Sequence, residues 1–517
     1  MGHKSHTVSG FPSQFSFIGQ TVAIILRLIR FQFVYLIGSS SQQPPIYHHI
    51  MSDVTSSTEA YIAVDDSSED IMQPIFDPKV DSDNVLPSSS EFDSHSRDKT
   101  IASVGYMLAM GICGIVLVAL GSTLSNLAAN VGRDATEVGT VFISRGIGAI
   151  VGAIFSAKLY QWFPGNYVMF VGLLCISILL VMLPFNKSDV MLHILFLFLG
   201  VGTAVTDTGC QIMTRKLHGK SAGPWLGANT VSFGISGAFV PLIEIFTQSL
   251  YIQYFCMTFI VFSVALLLGL GPNPEQHGRI AGGPPRRPDG QLNFVPHYRV
   301  EIIIGIMVFF FIGGKVTTTA YIASYVSDTS VIEVGNENYL VLVLWIAITI
   351  GRLAGVYDQR FLTNKTLPIH LSVFCVGGFL SMLLVLWFPN NAESLWIGVA
   401  FYGLFNGPCV GYCYDLNNRI THPTELSMSI VMFGLNFGAS LVPYMTSLVW
   451  NKGGGPKTLM VVTFLSMFVP LPLLHVTKYL SYDPQVNPIL KYRYNPIPEV
   501  PDGEISGLRP NSSFTKQ

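Results

Sequence analysis

The sequence GVGTAVTDTGCQIM (residues 200–213), RKLHGKSAGP (215–224) and WLGANTVSFGISGAFVP (225–241) encodes two apolar helices joined by a basic turn. Asp207 lies about two turns inside the first of these helices, counted from its basic end. A carboxylate at that depth in a lipid-spanning helix costs several kcal/mol unless it is paired, hydrated or protonated. The pattern therefore indicates a pathway for a solute or an ion, with Asp207 as its first candidate residue.

The composition indicates a membrane protein, because 50% of the 517 residues are hydrophobic and only 12% are charged. Apolar runs of about twenty residues, the length that crosses a bilayer, recur about twelve times. We predict an all-α polytopic membrane protein with twelve transmembrane helices. Their expected ranges are 101–126, 137–159, 167–185, 190–214, 224–246, 251–270, 301–326, 338–357, 367–388, 394–416, 425–449 and 457–477.

The polar parts of the chain divide it into segments. Residues 51–98 are rich in Ser and Asp and predict a disordered acidic cytoplasmic tail, and residues 478–517 predict a second disordered tail. Residues 101–270 and 300–477 are the two six-helix halves, joined by a linker at 271–299. Residues 1–50 contain an apolar stretch, Phe15–Gly38, interrupted by Arg27 and Arg30. We interpret that stretch as an interfacial helix, or as a segment added upstream of a start at Met51.

Basic connections alternate with acidic ones and set the expected orientation. Cations occupy the loops at Lys158, at Arg215–Lys220, in the linker and at Arg419, whereas the opposite loops carry Asp134, Glu137, Glu333, Glu337 and Glu393. The positive-inside bias then places both termini and the linker in the cytoplasm.

We expect tags at Gly282 and at the C-terminus to be protected from protease in intact cells. An accessible linker would overturn this topology. Permeabilised cells are the matched control, because both tags should then be cleaved.

Short sequence matches recur at an offset of about 200 residues and indicate two related halves. Gly152 corresponds to Gly351, Phe233-Gly234 to Phe433-Gly434, and Val240-Pro241 to Val442-Pro443. Paired six-helix halves around a site near the bilayer midplane are typical of secondary transporters.

No motif of an enzyme, a phosphate-binding loop or a zinc site is found in the sequence, so we expect no enzyme and no cofactor. The seven cysteines all lie in apolar runs and predict free buried thiols. As partners we expect a small-molecule solute and the lipid bilayer, but no nucleic acid, and we expect a monomer. A coupling ion, sodium or a proton, is the one further component to consider.

Three charged residues inside the spans are candidates for solute binding or coupling. Asp207 and Lys315 both lie near mid-depth, so they could form a charge pair lining a cavity or a structural salt bridge between two helices. Arg145 lies nearer a helix end; it could bind an anion or a polar solute, or it could extend outward to the interface. Glu244, Asp415 and Arg352 lie close to helix ends, which favours interfacial or loop-bracing roles.

Neutral polar and aromatic residues inside the spans form a second group. Gln211 follows Asp207 by four residues and shares its helix face. Carboxamides can bind hydroxyl-rich solutes and aromatic faces can stack on sugar rings, but a lone Asn in a bundle often serves as interhelical glue. The remaining members of this group are Asn229, Tyr321, Trp345, Asn406 and Asn436. The glycines at 146, 148, 152, 234 and 237 indicate close helix packing.

Taken together, these residues resemble the major facilitator superfamily, and within it the sodium-dependent glucose transporter 1 (major facilitator domain-containing protein 4) type. The resemblance covers 101–476 and rests on Asp207-Thr208-Gly209, on Ser232-Phe233-Gly234, and on Tyr339, Trp345 and Thr349–Leu353. It implies the twelve-helix major facilitator fold, with helices 1, 4, 7 and 10 lining a cavity and hexose transport by alternating access. The type is similar to the bacterial L-fucose/proton symporters, whose acidic coupling residue in helix 4 matches Asp207.

The chain departs from this resemblance in two places. The loop between helices 2 and 3, which carries Gly and Asp in the superfamily, reads Ser156-Ala157-Lys158-Leu159-Tyr160, although Asp358 and Arg360 keep a version of it in the second half. In helix 7 the glucose type resembles Gly-Ala-Glu, whereas this chain has Gly313-Gly314-Lys315. The ammonium argues against sodium binding at that position.

The sequence therefore predicts a multi-pass carrier in the plasma membrane for a hexose-like sugar or a similar polar solute. Asp207 would be the coupling or gating charge and Lys315 its partner. Two other hypotheses stay open. One is an organic-anion exchanger that binds its solute through Lys315 and Arg145. The other is a receptor or scaffold that moves nothing.

Overall fold

The computed structural model describes residues 89–218, 222–271, 298–333, 336–359, 361–420 and 425–480. The chain divides into two units, Met1–Ile101 and Ala102–Gln517. The described part of the first unit is a helical stretch, and every contact reported below lies within the second. The expected segments at 1–50 and 51–88, most of the linker, and 481–517 lie outside the described residues.

Twelve long helices make up the described chain, as the apolar runs predict. They are α1 Ser89–Ser122, α2 Val141–Trp162, α3 Gly165–Met182, α4 Asp189–His218, α5 Ala222–Phe246, α6 Leu250–Leu270, α7 Arg299–Thr329, α8 Glu337–Asp358, α9 Thr366–Trp387, α10 Ala392–Ile420, α11 Glu425–Val449, and α12, which consists of Lys457–Phe468 and Pro470–Leu480. Short helical turns follow α1 at Leu124–Asn130 and precede α2 at Glu137–Thr140, and a π-helical turn follows α11 at Trp450–Gly454. No strand occurs in the described ranges.

Eleven of these helices are long and apolar enough to cross a membrane, and α10 is the exception among the twelve. Its 29 residues are sufficient in length, because a span needs about twenty. It carries more polar residues than its neighbours, and two of them, Asn406 and Asn417, are fully buried. α10 therefore fails on composition because part of its surface faces protein and the cavity described below rather than lipid.

α1 begins earlier than the sequence predicts. Residues 89–98, which were expected to end a disordered tail, continue the backbone of α1 as helix. Once the apolar part of a helix is formed, each further residue adds one hydrogen bond for little additional ordering, so the helix extends into its polar flank.

Helix pairs repeat between the two halves and confirm their common plan. α2 packs on α4 as α8 packs on α10, and α3 packs on α6 as α9 packs on α12. α7 packs on α11, and α1 packs on α5, where Ser232 Oγ donates a hydrogen bond of 2.7 Å to the Met107 carbonyl. The halves meet through α2 with α11 and through α5 with α8.

Glycines allow the closest of these approaches. A Cβ atom at Gly152 would lie 2.7 Å from the Val201 carbonyl oxygen on α4, and one at Gly351 would overlap the Leu404 carbonyl on α10. These two glycines therefore occupy equivalent places in the two halves. Phe233-Gly234 and Phe433-Gly434 correspond in sequence only, because Gly234 packs on Thr349 of α8 whereas Gly434 packs on the backbone of α7.

Gly200→Ala is expected to destabilise the fold by about 1–3 kcal/mol, the usual effect of overpacking. The added Cβ would overlap the Arg145 carbonyl of α2, which is backbone and cannot rotate away. Thermal unfolding in detergent should show a midpoint lowered by several degrees. Gly172→Ala on α3 is the matched control, since its Cβ would make ordinary contact at 3.4 Å from Thr206 Oγ1. Equal midpoints for the two variants would contradict the close α2–α4 packing.

All seven cysteines lie in described helices and are free, as predicted. Five are buried in the protein. Cys175 on α3 and Cys256 on α6 are exposed on the outer surface of the bundle, where a bilayer would cover them.

Candidate functional site

A cavity of about 280 Å³ lies between the two halves. α1, α2, α4 and α5 line it from the first half, and α7, α8, α10 and α11 line it from the second. Its lining residues lie toward the ends of α4, α8 and α10 and toward the start of α5. Asn418, near the end of α10, is exposed at its margin. The cavity therefore opens on the side of the α4–α5 connection.

The opposite side is closed by contacts between the halves. The Thr136 carbonyl accepts hydrogen bonds from Ser447 Oγ at 2.7 Å and from Asn451 Nδ2 at 2.9 Å. Tyr321 of α7 lies between Phe142 of α2 and Trp450, with ring centroids 6.3 Å apart in each pair. We call this group of residues the closed gate.

Asp207 lies half-buried in the cavity wall, as its depth in α4 predicts. Gln211, one turn further on, also lines the cavity and donates a hydrogen bond of 3.2 Å to Asp207 Oδ1. The i, i+4 spacing thus places an acceptor and an amide side by side. Together they can accept from and donate to the hydroxyl groups of a solute.

Arg145 of α2 lies in the same wall, next to α4. Its side chain is 8% exposed, and its Nε has no hydrogen-bond partner among the described residues. Cys113 of α1 lines the same cavity as Arg145 and Asp207. Arg145 therefore faces the cavity that Asp207 also lines and does not extend outward to the interface.

Two of the predicted carboxamides join this site. Asn229 of α5 lines the cavity and donates to Thr214 Oγ1 at 3.0 Å, which also ties α5 to α4. Asn436 of α11 lines the opposite wall and donates to the Met432 carbonyl within its own helix at 3.1 Å. Asn436 retains an amide oxygen that a solute could use, whereas the Oδ1 of Asn229 is buried without a hydrogen-bond partner among the described residues.

Lys315 does not line the cavity in this conformation and forms no ion pair with Asp207. Its side chain is 0% exposed, and its Nζ has no hydrogen-bond partner among the described residues. Ile312, one turn earlier on α7, does line the cavity. Lys315 therefore lies just beyond the closed end of the cavity, between it and the closed gate.

Three predicted contacts are placed elsewhere. Tyr321 is buried in the closed gate rather than in the cavity. Trp345 packs on Gly237 and donates a hydrogen bond of 3.2 Å to Thr319 Oγ1, so its ring is covered by protein. Asn406 donates to the Phe311 carbonyl of α7 at 3.2 Å and is fully buried. It is interhelical glue, the alternative that a lone Asn favours.

The position of Arg352 near the end of α8 predicts a bracing role, yet the residue lines the cavity. Its Nη1 donates to the Thr230 carbonyl of α5 at 2.7 Å, and its guanidinium lies 4.8 Å from the centroid of the Phe233 ring. It therefore links the halves and faces the solute space at once. The sequence does contain a signal for this placement. In the motif Thr349–Leu353, the arginine directly follows Gly351, the glycine at which α8 packs closely on α10.

Asp415 of α10 combines both roles. It pairs with Arg419 at 2.9 Å, and Arg419 also donates to the Leu362 carbonyl at 2.6 Å, which braces the loop after α8 as predicted. Asp415 nevertheless belongs to the cavity wall. Glu244, also expected near an interface, is buried instead and accepts a hydrogen bond from Ser122 of α1.

Comparison with known proteins decides what this architecture is. A family model described as the Major Facilitator Superfamily matches residues 102–443, most of the helical region. The chain belongs to the Major Facilitator Superfamily. It is thus an integral multi-pass membrane transporter and not an enzyme, which confirms the family suggested by the sequence motifs.

Individual members of the superfamily are similar at low identity. "Sodium-dependent glucose transporter 1A" of Mus musculus is 22% identical over 375 residues, which cover 65% of this chain and 87% of that protein. "Sodium-dependent glucose transporter 1" of Danio rerio is 24% identical over 442 residues, which cover 72% of this chain and 70% of that protein. Among solved structures, nucleoside transporter NupG aligns with a TM-score of 0.55 at 13% identity, covering 74% of this chain and 99% of that one. At 13% identity, this similarity shows only that the two proteins share a fold.

Proposed function

We propose that this protein is a secondary carrier that moves a hexose-like sugar, or a similar small polar solute, by alternating access. The observation that carries this proposal is a cavity between two related halves, lined in part by charged and amide side chains, open on one side and sealed by the closed gate on the other. A solute bound there contacts both halves, so their relative movement can expose it first to one side of the membrane and then to the other.

Asp207 and Gln211 are the proposed centre of solute recognition, because a carboxylate beside an amide matches the donors and acceptors of neighbouring hydroxyl groups. Asn229 adds an amide group from the neighbouring helix α5, and Asn436 adds one from α11 in the other half. The curated relatives named as sodium-dependent glucose transporters support a sugar as the solute.

Asp207 is also the proposed site of any coupling ion. It is the one cavity carboxylate that forms no ion pair among the described residues, since Asp415 is paired with Arg419. Lys315 cannot serve a cation directly, because its ammonium repels one. We place the carrier in the plasma membrane with both termini in the cytoplasm, so that the conformation described here faces inward.

Uptake of labelled glucose into proteoliposomes tests the function. We expect uptake above that of empty vesicles, compared under a sodium gradient, a pH gradient and no gradient. Stimulation by either gradient identifies the coupling ion, and equal uptake under all three conditions indicates a uniporter. Absence of uptake of glucose and of other polar solutes under every condition would contradict the proposal, because that is the behaviour of a receptor or scaffold.

A further inference from the structure

The charges that line the cavity do not balance. Two carboxylates, Asp207 and Asp415, face three guanidinium groups, those of Arg145, Arg215 and Arg352. Asp415 is already paired with Arg419, and no ion pair within the described chain includes any of the three arginines. The solute space therefore has an excess of positive charge.

The three arginines differ in how their charges are compensated. Arg215 lies in the last turn of α4, where the carbonyl end of the helix favours a cation. Arg352 donates to the Thr230 carbonyl and lies over the Phe233 ring. Arg145 has neither kind of support: it makes no hydrogen bond or ion pair among the described residues, although more than nine-tenths of its surface is buried.

The Nε of Arg145 is a buried donor without a partner, which is costly because it has lost its hydration and gained no hydrogen bond in return, while the side chain borders the cavity. Such a group on a cavity wall is explained if its partner arrives with the ligand. The planar fork of an arginine matches a carboxylate or a phosphate, to which it donates two parallel hydrogen bonds. An anionic group on the solute fits this role, because it would accept hydrogen bonds from Arg145 at the cavity wall.

We propose that the solute is a sugar acid, a hydroxyl-rich ring carrying a carboxylate that binds Arg145 while its hydroxyl groups bind Asp207 and Gln211. This inference rests on the proposed carrier function and narrows its substrate class. The two parts of the site line the same cavity, Arg145 from α2 and Asp207 with Gln211 from the closely packed α4. Arg352, from the other half, adds a second positive charge to the same solute space.

Glucose and glucuronate form a matched pair of probes, because they share the ring and differ in a hydroxymethyl group against a carboxylate. In proteoliposomes containing the full chain, we expect unlabelled glucuronate to inhibit the uptake of labelled glucose at concentrations at least about tenfold lower than unlabelled glucose does. That factor is the contribution of one charge-assisted hydrogen bond.

Arg145→Gln should lower this glucuronate preference by about tenfold or more, and Arg145→Lys should retain part of it, because the charge stays while the fork geometry is lost. Arg133→Gln is the matched control. Arg133 lies in an exposed connection and pairs with Asp189 at 3.2 Å, away from the cavity, so its loss should leave the preference unchanged.

Acetate and inorganic phosphate distinguish the source of the anionic group. If acetate or phosphate inhibits as strongly as glucuronate, the site binds a simple anion, and the sugar-acid proposal is wrong. Glucose uptake with no preference for glucuronate in the unmodified protein also overturns it, without recourse to any variant, while the carrier function stands. Absence of uptake and exchange for both sugars would instead overturn the carrier function itself.

Discussion

Asp207→Asn and Lys315→Met are each expected to reduce net solute uptake more than about a hundredfold, whereas the double variant should recover part of it. Lys315 is fully buried and has no hydrogen-bond partner among the described residues, and Asp207 is bonded only by Gln211 in the present conformation. We propose that the two charges meet when the cavity closes, because Ile312, one turn from Lys315, already lines it. Breaking a buried ion pair costs about 3–5 kcal/mol, whereas removing both charges avoids that penalty.

Uptake of the three variants, with their amounts at the membrane measured in parallel, tests this pair as a double-mutant cycle. Asp134→Asn and Lys457→Met make the same chemical changes at exposed positions and should have little effect. A double variant no better than the worse single variant would contradict the pair. Asp207 would then act alone, as a proton or cation site.

Gly139→Ala is expected to shift the equilibrium between the two conformations of the carrier by about 5–150-fold. The favoured conformation is the one in which the contacts of the closed gate are broken. Gly139 lies in the short helix Glu137–Thr140, and a Cβ there would overlap Ser447 and lie 2.8 Å from the Tyr321 hydroxyl. Overpacking of about 1–3 kcal/mol is imposed only while the gate is closed, and a free energy of that size corresponds to the stated shift.

A cysteine at Thr319 reports the state of the gate. Thr319 lies on α7 and faces α1, where a Cβ at Gly121 would be 3.1 Å from the Thr319 methyl group, and Thr319 is buried. In a Thr319→Cys background, Gly139→Ala should speed labelling by a membrane-impermeant maleimide applied from the gate side. Gly172→Ala in the same background should not, and neither should the protein without Thr319→Cys. Equal labelling rates for both glycine variants would show that Gly139 does not hold the gate closed.

The sequence was sufficient for the fold and for the first charge of the site. Apolar runs of membrane length predict all twelve helices, because a bilayer requires a continuous apolar stretch in every span. α10 is the one of the twelve that is less apolar than a membrane span requires. Its polar residues Asn406, Asn417 and Asp415 face protein or the cavity. Asp207 and Gln211 could be placed together because helical periodicity fixes which residues share a face.

The sequence could not assign the remaining polar residues, because depth in a helix does not tell which neighbour its side chain meets. Asn406 and Asn436 lie at similar depth in consecutive helices of the same half, yet only Asn436 reaches the cavity. Tyr321 and Lys315 are both buried in this conformation, Tyr321 within the closed gate. The location of Arg352 was predicted wrongly. A residue near a helix end usually extends its side chain into bulk water, whereas the end of α8 borders the cavity.

Counterflow tests the central claim, that this cavity carries a solute by alternating access, most directly. Proteoliposomes are loaded with a high concentration of unlabelled glucose, or of glucuronate, and diluted into a trace of the same labelled sugar. A carrier returns to the outside after releasing unlabelled sugar and brings labelled sugar in, so the account predicts a transient accumulation of label above equilibrium, which Asp207→Asn abolishes. Label that rises monotonically to equilibrium, or does not enter at all, would contradict the account.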